Sequence, residues 1–454
     1  MKRSFVIYII LLCGFKVFAN KIQAQKQLPA GKIIDAVVCQ ADATQSYAVY
    51  IPTIGNNTAM PVVYFFDSHG NGTLPLTKYK TLADEYGFIL VGSNNSKNGN
   101  DWAIVGNIWQ KMFTDSQKRL KINTNRVYTC GFSGGAKVGG YVALKFGGIK
   151  GVVANGAGLP DGVAAGDFNF SFTALAGEGD MNMAGLVTFT NSLDNTHTRH
   201  RTIIFEGKHE WAPSTTMAQA FAGLQFDAMQ QGTLAKNETF INTYTADAKK
   251  RIDALYTAGR YIKAEQECKY DVAVLTGLNN ETTWFSNKAT SIAANKLYQK
   301  QQQEQQALLV KEQNMQEGYQ QQFEQGGMDY WQKTIGGLQA AAAAKTAEGM
   351  MNQRLLAWLS LAFYSISNQL ITGNQNDAAR HFVDLYKLAD VTNSEAWYFS
   401  AILYARLHQT KATENELIKA ATYGFNDKAR MRQQPEFKAA SINFASVESK
   451  MSGH

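Results

Sequence analysis

Ser133, Asp180 and His209 are the side chains with which this chain could do chemistry: a hydroxyl to attack, a carboxylate to orient a base, and an imidazole to take the proton. Ser133 stands in Gly131-Phe132-Ser133-Gly134-Gly135. Before it runs Val127-Tyr128-Thr129-Cys130, a β-branched, aromatic and apolar stretch; after it Val138, Tyr141, Val142 and Leu144 recur at helical spacing. Strand, Gly-x-Ser-x-Gly and helix in that order describe a nucleophile elbow. Gly131 and Gly135 remove the Cβ atoms that so sharp a turn would press together. The helix starting at Gly134 aims free N–H groups at any negative charge forming beside Ser133.

Asp180 and His209 each follow a strand-like run. Asp180 ends Gly177-Glu178-Gly179-Asp180 after residues 172–176, and His209 lies in Glu206-Gly207-Lys208-His209-Glu210-Trp211 after 202–205. Ser, Asp, His is the chain order such a sheet requires. Glu178 and Asp194 are the alternative acids, and Asp180 can also cap the helix that begins near Met181. Among the histidines, His197 and His200 precede a strand, and His381, His408 and His454 fall in a helical part. That leaves His209 as the base. Two N–H donors are needed for an oxyanion: one from Gly134, the other from the loop Asp67-Ser68-His69-Gly70-Asn71-Gly72, in which His69 shapes the loop. His197-x-x-His200 lacks further ligands nearby, so neither a metal nor another cofactor is expected.

The elements that must position these groups alternate. Short β-rich runs at 47–52, 61–66, 88–92, 126–130, 151–154, 172–176 and 202–205 are separated by helical patterns at 76–86, 102–120, 136–146, 184–193 and 214–229. Continuous apolar strands between helices predict a doubly wound, mostly parallel sheet covered on both faces, with ligands bound at the carboxyl ends of its strands. At 454 residues, the chain is too long for one ordinary domain. Its apolar content of 45% supports sizeable cores, and a net charge of +7 without a dense basic block excludes a nucleic-acid footprint.

Lys2 and Arg3 precede the apolar run 5–15, followed by small-residue cleavage patterns at Val17-Phe18-Ala19 and Ile22-Gln23-Ala24. Residues 1–24 are expected to be a signal peptide of an exported protein, since the run is too short to span a bilayer and Lys16 breaks it. Bulky Leu12 argues against lipid anchoring at Cys13. No later stretch is expected to cross a membrane. Cys39, Cys130 and Cys268 are too far apart for a zinc site; Cys130 is expected to be buried, and whether Cys39 and Cys268 pair is open.

Past residue 229 strand-like runs vanish. Residues 246–264 and 354–370 read as helices, 297–325 as a long glutamine-rich solvated helix, and Ala340–Ala344 adds helix propensity. Trp397, Ala401 and Tyr404, then Leu417 and Ala420, match the helix positions of a tetratricopeptide-like repeat; Ala378 with Phe382 matches the second helix of a preceding unit, and Gly259 with Tyr261 and Ala264 echoes the turn of another. The boundaries expected are 28–232 for the sheet-containing domain and 240–454 for an all-α, tetratricopeptide-like domain.

Residues 61–72 (PVVYFFDSHGNG), 131–141 (GFSGGAKVGGY), 177–180 and 207–211 (GKHEW) together resemble the α/β-hydrolase superfamily, and within it secreted esterases of the polyhydroxybutyrate-depolymerase and feruloyl-esterase type. The resemblance implies Ser133 as nucleophile, His209 as base, Asp180 as acid, and Gly134 with Gly70 or Asn71 as the oxyanion hole. It also implies a small-molecule or polymer carboxylic ester as substrate and an acyl-enzyme. Such esterases often carry a richer glycine run after the oxyanion histidine; here Asn71 intervenes and Asp67 adds a negative charge. Two other readings stand beside it: an interaction scaffold whose helical domain docks a protein partner beside an inactive hydrolase-like domain, and a serine peptidase using the same triad.

Overall fold

The computed structural model describes residues 28–54 and 58–451; the expected signal peptide, Cys13 and His454 lie outside the described residues. Eight strands form one sheet: β1 (Ile33–Cys39), β2 (Asp42–Tyr50), β3 (Met60–Phe66), β4 (Ile89–Ser93), β5 (Ile122–Phe132), β6 (Ile149–Asn155), β7 (Ser171–Gly179) and β8 (His200–Lys208). Their order is β1-β2-β4-β3-β5-β6-β7-β8. β2 runs antiparallel to β1 and to β4, and every pairing from β4 to β8 is parallel. β3 and β4 are buried along their whole length, as strands with both faces covered must be.

Crossover helices supply the cover. α1 (Thr73–Tyr86), α2 (Trp102–Arg119), α3 (Gly134–Phe146), α4 (Met183–Ser192) and α5 (Ser214–Gln230) fall where the helical spacing predicts them. One face packs Trp109 and Met112 of α2, Val138 and Val142 of α3 and Leu186 of α4 against the sheet. The other packs Tyr79 of α1 and Phe221 and Phe226 of α5. β1 is absent from the sequence reading. It is the exposed edge strand, with Asp35 and Ala36 breaking its apolar run, so it carries little periodic signal.

The chain then becomes helical throughout: α6 (Glu238–Thr257), α7 (Tyr261–Leu275), α8 (Thr282–Ala293), α9 (Lys296–Gln325), α10 (Met328–Ala342), α11 (Ala347–Thr372), α12 (Asn376–Ala389), α13 (Ser394–Arg406), α14 (Thr410–Thr422), α15 (Lys428–Gln433), α16 (Pro435–Ala439) and α17 (Phe444–Glu448). The single helix expected at 246–264 is two. The N–H of Arg260 reaches back to Leu255 O and that of Gly259 to Tyr256 O, a Schellman-type end that stops α6 and lets α7 turn back. Ile241, Tyr244, Cys268 and Phe285 of α6–α8 continue the core on the α5 side of the sheet.

A separate core spans Tyr319 to Met451, built around Trp331, Leu355, Phe363 and Tyr398. Trp397, Ala401, Leu417 and Ala420 are buried in it, while Tyr404 is half-buried under the guanidinium of Arg380. Against the expectation that no stretch past residue 24 is long and apolar enough to cross a membrane, α11 meets that test by length and composition alone. Its Met351, Leu355, Leu359 and Phe363 are spent in this core. Cys39, Cys130 and Cys268 are all buried and free, so Cys39 and Cys268 do not pair.

Asp271 of α7 lies fully buried and accepts from Tyr244 Oη at 2.9 Å. Burial pushes its carboxyl well above the ordinary value of 3.8, Glu267 adding to the rise and Arg251 opposing it. The folded chain therefore holds this proton more tightly than the unfolded one. The stability it contributes is full below about pH 4 and is lost as pH rises toward the folded value. Asp271→Asn should raise unfolding free energy at pH 8 by on the order of 1 kcal/mol and change it little near pH 4, read from urea melts at the two pH values.

Candidate active site

β5 delivers Phe132 to the carboxyl edge of the sheet, and α3 begins two residues later. Ser133, between them, has φ 56° and ψ −124°, a left-handed backbone that a residue with a side chain enters only under strain. A Cβ on Gly131 would lie 2.0 Å from Gly135 O, and one on Gly135 1.9 Å from Phe66 O. Both glycines are thus required by close backbone approach. The Ser133 N–H is anchored on Asn155 O at 2.8 Å, which ties the turn to the end of β6.

His209 follows the end of β8, and its imidazole lies between the other two side chains. Nε2 is 2.9 Å from Ser133 Oγ, and Nδ1 is 3.0 Å from Asp180 Oδ1. Asp180 is fully buried just beyond β7, and its Oδ1 also accepts the Asn182 N–H at 2.8 Å. The other acids weighed from the sequence are engaged elsewhere: Glu178 with Lys263 and Arg260, Asp194 with His200. His197 is exposed beside Asp167, and His69 is exposed at the rim. Gly156 (φ +69°) closes the inner wall, where a Cβ would meet Asp180 Oδ2 and His209 Cε1 at 3.1 Å.

Residues without any catalytic motif hold the histidine loop. Asn155, buried at the end of β6, donates through Nδ2 to Glu210 O at 3.2 Å and accepts the Ala212 N–H through Oδ1 at 2.7 Å. Trp211, between those two residues, donates to Asp67 Oδ2 at 2.9 Å and packs on Phe132, whose ring lies 4.7 Å from that of His209. Tyr79 Oη donates to Ala212 O at 2.7 Å. No sequence pattern marks Asn155, because an amide at a strand end looks like any turn residue.

Gly134 opens the first turn of α3, where an N–H has no partner within the helix. The loop expected to add a second donor is folded otherwise. Asp67 is buried, and a buried carboxylate must be satisfied. Its Oδ1 takes the N–H groups of His69 at 2.9 Å and Asn71 at 3.4 Å, and its carbonyl takes that of Gly70 at 3.1 Å. Gly70 and Asn71, assigned to the oxyanion hole on the resemblance, therefore turn their N–H groups onto Asp67, which leaves Ser68 outside that set. Asn98 Oδ1 occupies the space beside Gly134, 1.9 Å from where a Cβ would stand. Among the described residues no group of three or more His, Cys, Asp or Glu is placed to hold a metal.

No family model and no curated protein matches the chain. Solved structures similar to it include an esterase from Pyrobaculum calidifontis, at 13% identity and a TM-score of 0.35, covering 44% of this chain and 87% of that one. Fungal esterases from Rhizomucor miehei show 12% identity and a TM-score of 0.34, over 44% of this chain and 83% of that one. A ferulic acid esterase shows 13% identity and a TM-score of 0.31, over 42% and 94%. At these values the likeness is silent on substrate and reaction. Strand order, the single antiparallel β2 and the elbow after β5 are those of the α/β-hydrolase fold, with a helical region following it.

The strain at the elbow has a measurable sign. Ser133→Gly should stabilise the protein by about 1 kcal/mol, because glycine enters this φ freely. Gly135→Ala should destabilise it by about 3 kcal/mol, since Phe66 O cannot move aside. Urea unfolding of the two variants against wild type reads both.

Proposed function

We propose that the protein is a serine hydrolase acting on carboxylic esters, with Ser133 as nucleophile, His209 as general base and Asp180 as the acid that orients it. The observation that carries this is the His209 imidazole, hydrogen-bonded at one nitrogen to the Ser133 hydroxyl and at the other to the Asp180 carboxylate. Ser133 Oγ attacks the ester carbonyl as its proton passes to Nε2. The tetrahedral oxyanion is met by the N–H of Gly134 at the positive end of α3. Collapse expels the alcohol, which takes the proton from His209 and leaves an acyl group on Ser133. Water then repeats the sequence, losing its proton to His209 and releasing the acid. Asp180, fully buried and held at β7, keeps Nδ1 protonated and Nε2 free to accept.

An ester is favoured over an amide by the resemblance of segments 61–72, 131–141 and 207–211 to secreted esterases. Export belongs to the same reading: the mature chain should begin at Asn20 or Gln25, which N-terminal sequencing of secreted material reads directly.

Purified wild type should hydrolyse a short-chain aryl ester and be labelled by a fluorophosphonate. Ser133→Ala should lose both, and Asp180→Asn should lower kcat by about 10^4-fold. Labelling that persists in Ser133→Ala removes the site assignment. A higher kcat/KM on a matched anilide would make the protein a peptidase.

A further inference from the structure

We propose that Arg354 of α11 is a positioning residue for Asp180, so that the helical region completes the active site. The proposal rests on the serine-hydrolase reading above. Asp180 is only partly held by its own side chain. Oδ1 meets His209 and Asn182, but Oδ2 is buried with no hydrogen-bond partner. Where the carboxylate points therefore depends on the backbone just before it, Glu178-Gly179.

That backbone is gripped from the helical region. Arg354 Nη1 donates to Glu178 O at 2.7 Å. Gln353, its neighbour on α11, fills the space where Gly179 lacks a side chain, its Oε1 lying 2.7 Å from a Cβ built there. The Glu178 carboxylate is held by Lys263 of α7 at 2.6 Å and by Arg260, the residue just before that helix, at 3.0 Å. Four side chains thus converge on Glu178 and Gly179, the last two residues of β7, just ahead of Asp180.

Arg354 is itself pre-set. It is buried, and Glu312 of α9, also buried, takes its Nε at 3.0 Å and its Nη2 at 2.6 Å. A buried ion pair is a weak device for stability alone, because apolar residues of similar volume serve as well. What the pair adds is a rigid fork: one edge is satisfied by Glu312, and Nη1 is left aimed at the Glu178 carbonyl. Without it that carbonyl is released, and the acid can drift from His209.

The test compares wild type with Arg354→Met/Glu312→Met, which replaces the pair by apolar residues, and with Arg354→Lys, which keeps the charge facing Glu312. The control is Lys311→Met/Glu348→Gln, which removes an exposed pair joining the same two helices at 2.6 Å. Aryl-ester kcat and KM, the rate of fluorophosphonate labelling at Ser133, and thermal midpoints are measured. Both Arg354 variants should lose about 10- to 100-fold in kcat and in labelling rate with KM within about twofold, while the control matches wild type. If the double variant does not fold, Arg354→Lys decides. Wild-type kcat and labelling in a folded Arg354 variant overturn the proposal, as does a loss confined to KM or one the control shares. Wild type that is never labelled at Ser133 instead overturns the hydrolase reading beneath it.

Discussion

Asn155 joins the two loops on which the site depends. Its backbone carbonyl takes the Ser133 N–H, and its side chain holds the loop carrying His209 from both sides of Trp211. Ser133 sits on a strained turn after β5, and His209 on a loop after β8, two strands beyond β6 in the sheet. Each would wander if left to its own segment. A buried amide with both ends satisfied by backbone gives each loop a fixed reference at the end of β6. The imidazole can then lie within hydrogen-bond range of two side chains at once.

Asp67 plays the matching part on the other side. Its carboxylate is buried at the end of β3 and gathers His69, Asn71 and Trp211 around itself. The charge that stood out in the sequence as a departure from the esterase pattern is thus the centre about which the loop is folded. It also links the loop after β3 to the histidine loop through Trp211. The helical region adds a contact of its own: Arg354 holds the Glu178 carbonyl, two residues ahead of Asp180.

Much of this was legible in the sequence because the signals were local. The run from Val127 to Leu144 contains the end of a strand, a turn and most of a helix, and its glycines state the close approach that the backbone makes at Phe66 O. Asp180 and His209 could be named because each follows an apolar strand in the order the fold demands. What stayed hidden depends on contacts distant in the chain. The orientation of Gly70 and Asn71 is decided by where the Asp67 carboxylate ends up, which its contact with Trp211 far along the chain helps to set, and Asn155 and Arg354 touch residues tens of positions or more away. The break at Gly259 was half legible, since Gly259 with Tyr261 and Ala264 echoes a repeat's turn while helical composition continues on both sides of it, and β1 was missed because an exposed edge strand has little pattern to show.

A serine hydrolase of this design must pass an acyl group through the Ser133 oxygen. Rapid mixing of the protein with an activated aryl ester, an acid quench within the first turnover and peptide mass spectrometry would observe that intermediate directly. The account predicts a single acyl adduct on the peptide containing Ser133, formed in a burst that matches the first equivalent of released phenol. An adduct on another residue, or phenol release with no covalent adduct at any time, would contradict it.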